Sequence, residues 1–376
     1  MHIHSLHLLH FKPDIRLKEI YISIFIRALA ISMIGIFIPI YLIREVNYSL
    51  QNVLWFYIIF SVTFGILTPF SAKIFNKIGF KYCILISAPI YLLFYILLYY
   101  LTQININLYY IAIIGGLANS FYWISFHSTF AKYSDHDHIG EQIGIWYSIA
   151  IFIGLLGPLI GGIILTFLDY RILFILVTIT LILSVIPIFM IKVKHEKQEY
   201  HIKNIFKKNN LADVPGFIGY GARGDSQTVL LPLFAFFLLK KYLQLGFISS
   251  GVGFFTALFA FVIGRTSDIQ DKRKLIRLGS FLAALSWIIL LFAKNLWQLF
   301  IIATLAGISY TMIDVPFSAL TYDKANKNKS AIEYLVFREI CLSCGRILLL
   351  SLVLIFDDLS SGFVFSAIGT LLHLTF

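Results

Sequence analysis

The chain has 376 residues, of which 59% are hydrophobic and only 13% are charged, and its mean hydropathy is +0.86. About a quarter of the residues in soluble domains are charged, so this composition excludes an ordinary soluble globular protein. The formal net charge of +11 at pH 7 requires no nucleic-acid partner, because positive loops facing an anionic inner leaflet account for it.

Apolar blocks of about twenty residues follow one another along the chain, and a helix of that length crosses a bilayer core of about 30 Å. We place spans 1 to 6 at 20–42, 52–71, 82–101, 108–131, 142–167 and 172–191. Spans 7 to 12 follow at 214–239, 244–263, 275–293, 297–320, 332–355 and 359–376. The blocks are too long and continuous for barrel strands, which have about ten residues of alternating polarity. The sequence therefore predicts an all-α integral membrane protein with twelve transmembrane helices.

The polar segment 192–213, which contains KVKHEKQEYHIKNIFKKNN, separates the two sets of spans. It divides the chain into a first six-helix half at 1–191, a linker at 192–213 and a second six-helix half at 214–376. Two sets of six spans predict two pseudo-symmetric halves.

Positive charge is distributed unevenly between the two sides of the predicted bundle. Of the 30 Lys and Arg residues, 21 lie on the side that includes the amino terminus and the linker. Positively charged short loops stay in the cytoplasm, so we expect both termini and the linker to be cytoplasmic. The first nineteen residues lack the apolar core and small-residue site of a cleavable signal. We therefore expect a multi-pass protein of the cytoplasmic (inner) membrane of a bacterium.

Two loops occupy the same position in the two halves. The loop after span 2 reads AKIFNKIGFK at 72–81, and the loop after span 8 reads GRTSDIQDKR at 264–273. Both resemble the signature loop of the major facilitator superfamily, a pattern close to GxxxDxxGRK. In register with the pattern are Gly79 and Lys81 in the first copy and Gly264, Asp268, Lys272 and Arg273 in the second, whose loop also contains Arg265. The first copy departs from the pattern at Ala72 (Gly in the family), Asn76 (Asp) and Phe80 (a basic residue), and the second departs at Asp271 (Gly).

The segment GLLGPLIGG at 154–162 in span 5 resembles the GPxxGG segment of the same family, which is associated with exporters that exchange substrate for protons. Gly157, Gly161 and Gly162 permit close helix contact, and Pro158 removes a backbone donor and permits a bend. Ordinary packing of small residues is the alternative interpretation. The segment DYRILF at 169–174 resembles the start of helix 6 in the family.

Membership in this family implies that spans 1, 4, 7 and 10 line a central cavity. These spans hold the ionisable residues Arg27, His127, Arg223, Asp225 and Asp314, whereas spans 2, 3, 6, 8, 9 and 12 have none in their central parts. An ionisable side chain within a membrane is costly and is therefore a functional candidate. We expect these five residues to form the substrate and proton site.

Spacing supports a paired role for the two arginines. Arg27 precedes Pro39 by twelve residues and Arg223 precedes Pro232 by nine, a difference of nearly one helical turn, so both point to similar faces. We expect the arginines to attract an anionic or polar substrate group. Asp225 and Asp314 are the candidates for proton titration, since burial and a nearby arginine have opposite effects on a carboxylate.

Other interpretations of these residues remain. Arg223 and Asp225 could only neutralise neighbours and hold span 7 in the bundle. His127 lies near the linker side and could hydrogen-bond at the interface, while Tyr122 and Trp123 could contact substrate or pack as ordinary aromatics.

Span 11 adds four further charges: Glu333, Arg338, Glu339 and Arg346. The resemblance implies that such charges form a gate with the signature loop, in which Asp268 and Arg265 close the linker side and release as the halves rock. Asn76 cannot supply the equivalent charge in the first half. Loop charges could also serve topology alone.

The sequence thus predicts a secondary active transporter that moves a small solute by alternating access, coupled to protons and exporting its substrate. Import by the same fold is the alternative, and a span 4 arginine typical of proton-coupled drug exporters is missing. A membrane-embedded enzyme and a non-transporting sensor are further alternatives, although HExxH and nucleotide-loop patterns are missing. We expect no catalytic site, no cofactor and no metal, a small-molecule substrate, protons as coupling ion, a lipid bilayer as surroundings and a monomer.

Overall fold

The computed structural model describes residues 18–133, 154–190, 199–269, 271–327 and 330–376, together with 152 and 197. In the first half, α1 consists of Lys18–Ile34 and Ile38–Arg44, joined by a 3₁₀ turn at Gly35–Phe37. The helical stretch Leu50–Tyr100 is divided at Gly79 into α2 and α3. The remaining helices of this half are α4 at Leu108–Tyr133, α5 at Leu156–Phe167 and α6 at Tyr170–Phe189.

In the second half, α7 consists of Val214–Asp225 and Leu231–Leu239 with a π-helical stretch at Ser226–Leu230 between them. It is followed by α8 at Tyr242–Ile269, α9 at Lys272–Leu290, α10 at Leu296–Lys327, α11 at Ala331–Phe356 and α12 at Leu359–Leu371. Short 3₁₀ turns lie in the linker at Ile202–Asn204 and Lys208–Asp213, and a last one at Leu372–Thr375. All elements of the described residues are helical, which confirms the predicted fold class.

Side-chain caps at several helix starts explain where the apolar stretches begin. Ser49 accepts a hydrogen bond from the Asn52 N–H at 3.2 Å, and Asp169 accepts one from the Ile172 N–H at 2.9 Å. Such caps satisfy backbone donors that a helix leaves open at its amino end. The predicted span boundaries therefore fall close to polar residues that end one helix and start the next.

The outer surfaces of the helices are apolar, as the lipid environment requires. Six helical stretches of the described chain are long and apolar enough to cross a membrane, and Leu50–Tyr100, with 51 residues, is long enough for two crossings. On α6 the side chains that stay exposed form a stripe: Ile172, Ile175, Ile179, Ile182 and Ile186. Exposed apolar side chains at helical spacing suit contact with acyl chains.

The two halves meet along two helix pairs, α2 with α11 and α5 with α8. In the α5–α8 pair, a Cβ placed on Gly162 would lie 2.8 Å from the Tyr242 carbonyl oxygen, and a Cβ on Gly246 would collide with the Pro158 carbonyl. Close backbone approach of this kind is the usual basis of helix association in membranes. The glycine segment of span 5 therefore lies in the contact between halves.

The two signature loops are built differently. The segment 72–81, which we predicted as a loop, is helical except at Gly79, whose φ of 84° and ψ of 178° favour glycine. At the matching place in the second half, Asp271 has a φ of −62° and caps α9 by accepting a hydrogen bond from the Arg273 N–H at 3.0 Å. The second copy thus tolerates Asp in place of Gly because its backbone turns without a positive φ.

Candidate substrate cavity

Two cavities lie between the helices near the middle of the bundle. The first cavity, of about 460 Å³, is lined mainly by α1 to α4, with contributions from α7 and α11. The second cavity, of about 390 Å³, is lined by α7 to α10. Ile36 and Pro158 line both cavities, so the two are adjacent. The predicted lining helices 1, 4, 7 and 10 do contribute, but α2, α3, α8, α9 and α11 do so as well.

Arg27 is held between two tyrosine rings in the first cavity. Its guanidinium carbon lies 4.1 Å from the ring centre of Tyr91 on α3 and 3.8 Å from that of Tyr122 on α4. The residue is only 4% exposed, and its Nε and Nη2 have no hydrogen-bond partner among the described residues. Within the described chain no carboxylate forms an ion pair with Arg27. The arginine is therefore charged, buried and without an acidic partner in the part of the chain that is described.

Arg223 has the same kind of setting in the second half, with one difference. Its guanidinium carbon lies 4.7 Å from the ring centre of Tyr220 and 4.6 Å from that of Tyr310. Here, however, Nη2 also donates a hydrogen bond to the Asp314 carboxylate in a buried ion pair. The two arginines thus form related tyrosine-lined clamps, and Asp314 neutralises only the second clamp.

The spacing of α4 and α10 explains the difference. Asp314 lies four residues after Tyr310, whereas the residue four places after Tyr122 is Phe126. Positions four apart share a helix face, so the face of α4 that carries Tyr122 has an apolar ring where the face of α10 that carries Tyr310 has a carboxylate.

Asp225 lines the first cavity although α7 belongs to the second half. Its carboxylate lies 3.8 Å from the Arg346 Nε of α11, and its Oδ2 has no hydrogen-bond partner among the described residues. Arg346 lines the same cavity. The charged groups that line the first cavity are therefore two guanidiniums, Arg27 and Arg346, and one carboxylate, Asp225, which leaves one positive charge uncompensated when Asp225 is ionised.

His127 lies outside the lining of both cavities. Its Nδ1 is 2.7 Å from the Tyr322 hydroxyl of α10, and its Nε2 is 3.2 Å from Arg338 Nη1 of α11. Arg338 in turn donates to the Glu339 carboxylate, which lies 3.5 Å from His127 Nε2. These four side chains, the His127 cluster, connect α4 of the first half with α10 and α11 of the second. Trp123 stacks on the His127 ring at 5.3 Å and also reaches the first cavity.

The predicted gate charges of α11 differ in their surroundings. Arg338 and Glu339 are buried within the His127 cluster and do not lie in a solvated loop. Glu333 is also buried and binds the linker: it accepts hydrogen bonds from the His201 N–H at 3.0 Å and from Lys207 Nζ at 2.7 Å. The linker is therefore attached to the second half.

The linker also reaches the first half. The Tyr200 hydroxyl donates a hydrogen bond to the Pro69 carbonyl of α2 at 2.8 Å. Farther along, Lys324 Nζ and the Tyr334 hydroxyl lie 2.6 Å and 2.7 Å from the two oxygens of Asp213. On the linker side, polar contacts thus join the two halves through both the linker and the His127 cluster.

The predicted signature-loop residues are only partly described. Lys81 donates a hydrogen bond to the Phe189 carbonyl at 2.9 Å, Gly264 is buried in α8, and Lys272 and Arg273 form the first turn of α9. The side chains of Arg265 and Asp268 lie outside the described residues. Gly157 and Gly161 of α5 pack against Ser32 and Met33 of α1.

Sequence reasoning missed several residues of the clamps. Tyr91, Tyr220 and Tyr310 were not singled out, since isolated tyrosines in apolar helices are common packing residues. A tyrosine four residues before Asp314 in α10, with another in register in α4, is the signal that could have identified two of the ring pairs. Among the described residues, no group of three or more His, Cys, Asp or Glu side chains is placed to hold a metal ion.

In the described residues, twelve helices in two sets of six, paired through α2–α11 and α5–α8 around cavities with buried charges, have the architecture of a multi-pass membrane transporter. The chain belongs to the Major Facilitator Superfamily, whose model matches residues 20–214 and 216–376. This confirms the predicted family. Members of this family bind small-molecule substrates within a lipid bilayer.

Solved structures with the same fold include the human organic anion transporter MFSD10 (TETRAN), with a TM-score of 0.69 at 12% identity over 97% of this chain and 99% of that one. The transporter FucP in its outward conformation has a TM-score of 0.67 at 12% identity, over 96% and 97% of the two chains. At this identity the likeness concerns the fold alone. The uncharacterized protein YqgE of Bacillus subtilis (strain 168) is 25% identical over 250 residues, which are 62% of this chain and 57% of that protein.

Proposed function

We propose that the protein is a secondary active transporter that moves a small anionic or polar solute across the cytoplasmic membrane, with protons as the coupling ion. One observation supports this above all: each half contributes a buried arginine, Arg27 and Arg223, clamped between tyrosine rings. Arg27 lines the first cavity, whereas Arg223 lies behind Tyr310 and Asp314, which line the second. Burying a charge within a membrane costs a few kcal/mol or more. A role in binding a charged or polar solute would account for that cost.

Alternating access requires the contacts on one side to break while those on the other side form. The His127 cluster and the Tyr200 hydrogen bond join the halves on the linker side, and both consist of a few polar contacts between rigid helices. Such contacts can separate as the halves rock. In this cycle the α5–α8 glycine contact, which involves Pro158 and Gly162, serves as a close-packed surface on which the halves move.

Asp225 and Asp314 are the proposed proton carriers, since each is a carboxylate beside an arginine at a cavity. A substrate group that competes for the arginine changes the balance of charge around the carboxylate and so couples the two binding events. The first cavity favours Asp225 as the main carrier, because its partner Arg346 is 3.8 Å away whereas Arg223 and Asp314 are directly hydrogen-bonded.

The direction of transport has two candidates. The GPxxGG-like segment at 157–162 supports export in exchange for protons. A specific observation favours import instead: Asp225 and Arg27 line the same cavity, so a bound anion would favour the neutral form of Asp225 and would travel with a proton. Measuring the direction of proton flux during solute flux distinguishes the two mechanisms: protons move opposite to the solute in exchange and with it in cotransport.

Flux in proteoliposomes with an imposed pH gradient tests the proposal, using a solute chosen because it raises the unfolding temperature of the purified protein. We expect wild-type flux to follow the pH gradient and Asp225→Asn flux to ignore it. Asp357→Asn, at an exposed loop position, is the matched control and should behave as wild type. Flux that follows the gradient equally in wild type, Asp225→Asn and Asp314→Asn contradicts proton coupling through these residues.

A further inference from the structure

The walls of the first cavity differ from those of the second in a way that bears on the substrate. Rings surround the first cavity: besides Tyr91 and Tyr122, which clamp Arg27, its lining includes Phe56, Tyr57, Phe60, Phe94, Tyr95 and Trp123. Small residues such as Ala235, Ala303, Ala306 and Gly307 contribute to the second. A ligand of the first cavity would therefore meet aromatic faces on several sides.

These rings form a connected wall. Phe94 lies between Phe56, with ring centres 6.4 Å apart and nearly parallel, and Phe60, with ring centres 6.3 Å apart and steeply inclined. Phe60 is only partly buried, so part of its ring remains available to the cavity. Aromatic pairs at such distances stabilise a structure beyond the effect of the area that they bury. A flat ring system that enters the cavity can stack against these rings and add to this arrangement.

The polar groups of the cavity specify the charge of the ligand. Two donors of Arg27, Nε and Nη2, are buried and have no hydrogen-bond partner among the described residues, so an anionic group that reached them would satisfy both. With Asp225 balancing Arg346, one positive charge remains for a ligand to neutralise. One anionic group fits this balance, and a second anionic group would be repelled by Asp225.

We infer that the first cavity binds a planar aromatic monoanion, with its carboxylate or similar group on Arg27 and its ring system against Phe60 and Phe94. The inference deepens the proposed transport function and rests on it for biological meaning. A cavity of about 460 Å³ lies within the range of about 300–1,000 Å³ that small-molecule sites occupy. It accommodates two or three fused rings.

A set of four matched probes tests the ligand class by calorimetric titration of the purified full chain in detergent. The probes are 2-naphthoate, the neutral 2-naphthamide, the saturated decalin-2-carboxylate and the dianion naphthalene-2,6-dicarboxylate. We expect 2-naphthoate to bind most tightly. The amide should lose at least about tenfold in affinity, since hydrogen bonds to charged groups contribute about 1.5–3 kcal/mol. Decalin-2-carboxylate should bind about two- to tenfold more weakly than 2-naphthoate, because it cannot make the aromatic ring contacts.

Substitutions test whether Arg27 binds the anionic group of the probe and whether Phe60 contacts its ring system. Arg27→Gln should reduce 2-naphthoate affinity about tenfold or more and leave 2-naphthamide affinity nearly unchanged. Phe60→Leu should weaken 2-naphthoate more than decalin-2-carboxylate, a difference that general loss of folding would not produce. Arg171→Gln, at an exposed position, is the control and should match wild type. Arg27→Lys keeps the charge, so it provides a second measurement if Arg27→Gln does not fold.

Two results would overturn the inference: naphthamide binding as tight as naphthoate binding, or 2-naphthoate affinity that is the same in Arg27→Gln and wild type. Absence of binding by all four probes would overturn it as well. Calorimetry needs no membrane and no gradient, so these failures concern the ligand class alone. If another solute still shows pH-driven flux in proteoliposomes, the transport proposal stands while the aromatic monoanion is rejected.

Discussion

Arg223 of α7 is joined to Asp314 of α10 by a buried hydrogen-bonded ion pair. Arg223 is 2% exposed in this arrangement, and its Nε and Nη1 have no hydrogen-bond partner among the described residues. The carboxylate therefore supplies most of the compensation for a charge that cannot reach water.

Removing this carboxylate should destabilise the protein strongly. We expect Asp314→Asn to lower the free energy of unfolding by about 3–5 kcal/mol, because it leaves a buried guanidinium without its partner. Thermal unfolding in detergent measures the effect, with Asp357→Asn at an exposed site as the control. The double variant Arg223→Met/Asp314→Leu should recover much of the loss, since no charge remains to be compensated. A stability of Asp314→Asn equal to wild type contradicts the assignment.

Gly79 should tolerate no side chain. Its φ of 84° and ψ of 178° lie in a region open almost only to glycine, so Gly79→Ala should cost about 1–3 kcal/mol. Gly154→Ala is the matched control, because a Cβ there meets no atom of the described residues within 4 Å and alanine is the better helix former. Equal unfolding temperatures for the two variants would show that the backbone at Gly79 is not restrictive.

Glu333 should protect the linker from proteolysis. It is 3% exposed and accepts hydrogen bonds from the His201 N–H and from Lys207 Nζ. Glu333→Gln removes its charge, and we expect a loss of about 1–2 kcal/mol, reduced by the partial exposure of Lys207. Trypsin should then cleave after Lys203 and Lys207 faster than in wild type. Glu45→Gln, at an exposed site in the first half, should leave the cleavage rate unchanged.

Tyr200 should protect the amide groups around it from exchange. Burial raises the pKa of its phenol, with Glu333 adding to the effect, so the hydroxyl stays protonated at neutral pH and donates to the Pro69 carbonyl. The phenol would lose its proton, and with it this contact, only in strongly alkaline solution. Tyr200→Phe should cost about 0.5–1.5 kcal/mol and speed hydrogen exchange at 199–205.

The control for this measurement is Tyr110→Phe, because Tyr110 is 65% exposed. Exchange at 199–205 that is unaffected by Tyr200→Phe would mean that the hydrogen bond does not hold the linker against α2.

Hydropathy predicted the positions of the spans because each must match the bilayer thickness whatever its neighbours are. The internal irregularities were not predictable in the same way. The 3₁₀ turn at Gly35–Phe37 in α1 and the π-helical stretch at Ser226–Leu230 in α7 depend on how neighbouring helices pack. The 3₁₀ turn lies between Arg27 and Pro39, and the π-helical stretch lies between Arg223 and Pro232. Counting residues from each proline along a regular α-helix, as we did to predict the directions of the two arginines, therefore ignores these irregularities.

The sequence predicted which charged residues form the candidate site, but it did not predict which of them contact one another. Buried charge is rare in apolar spans, so Arg27, Arg223, Asp225 and Asp314 stood out in the sequence. Which of them meet depends on contacts between helices distant in the chain, as with Asp225 and Arg346. His127 shows the same limit: its partners on α10 and α11 draw it into the contact between halves and away from both cavities.

The guanidinium of Arg27, which no carboxylate of the described residues pairs with, makes the membrane voltage part of the energetics of transport. Moving one elementary charge through 100 mV is worth about 2.3 kcal/mol, and rocking of the halves around Arg27 shifts its charge through part of that field. While Asp225 stays ionised, the empty protein carries this charge and a bound monoanion cancels it, so in exchange the loaded protein would change sides almost independently of voltage. In cotransport, where a proton on Asp225 accompanies the anion, the loaded protein keeps the positive charge and its movement depends on voltage.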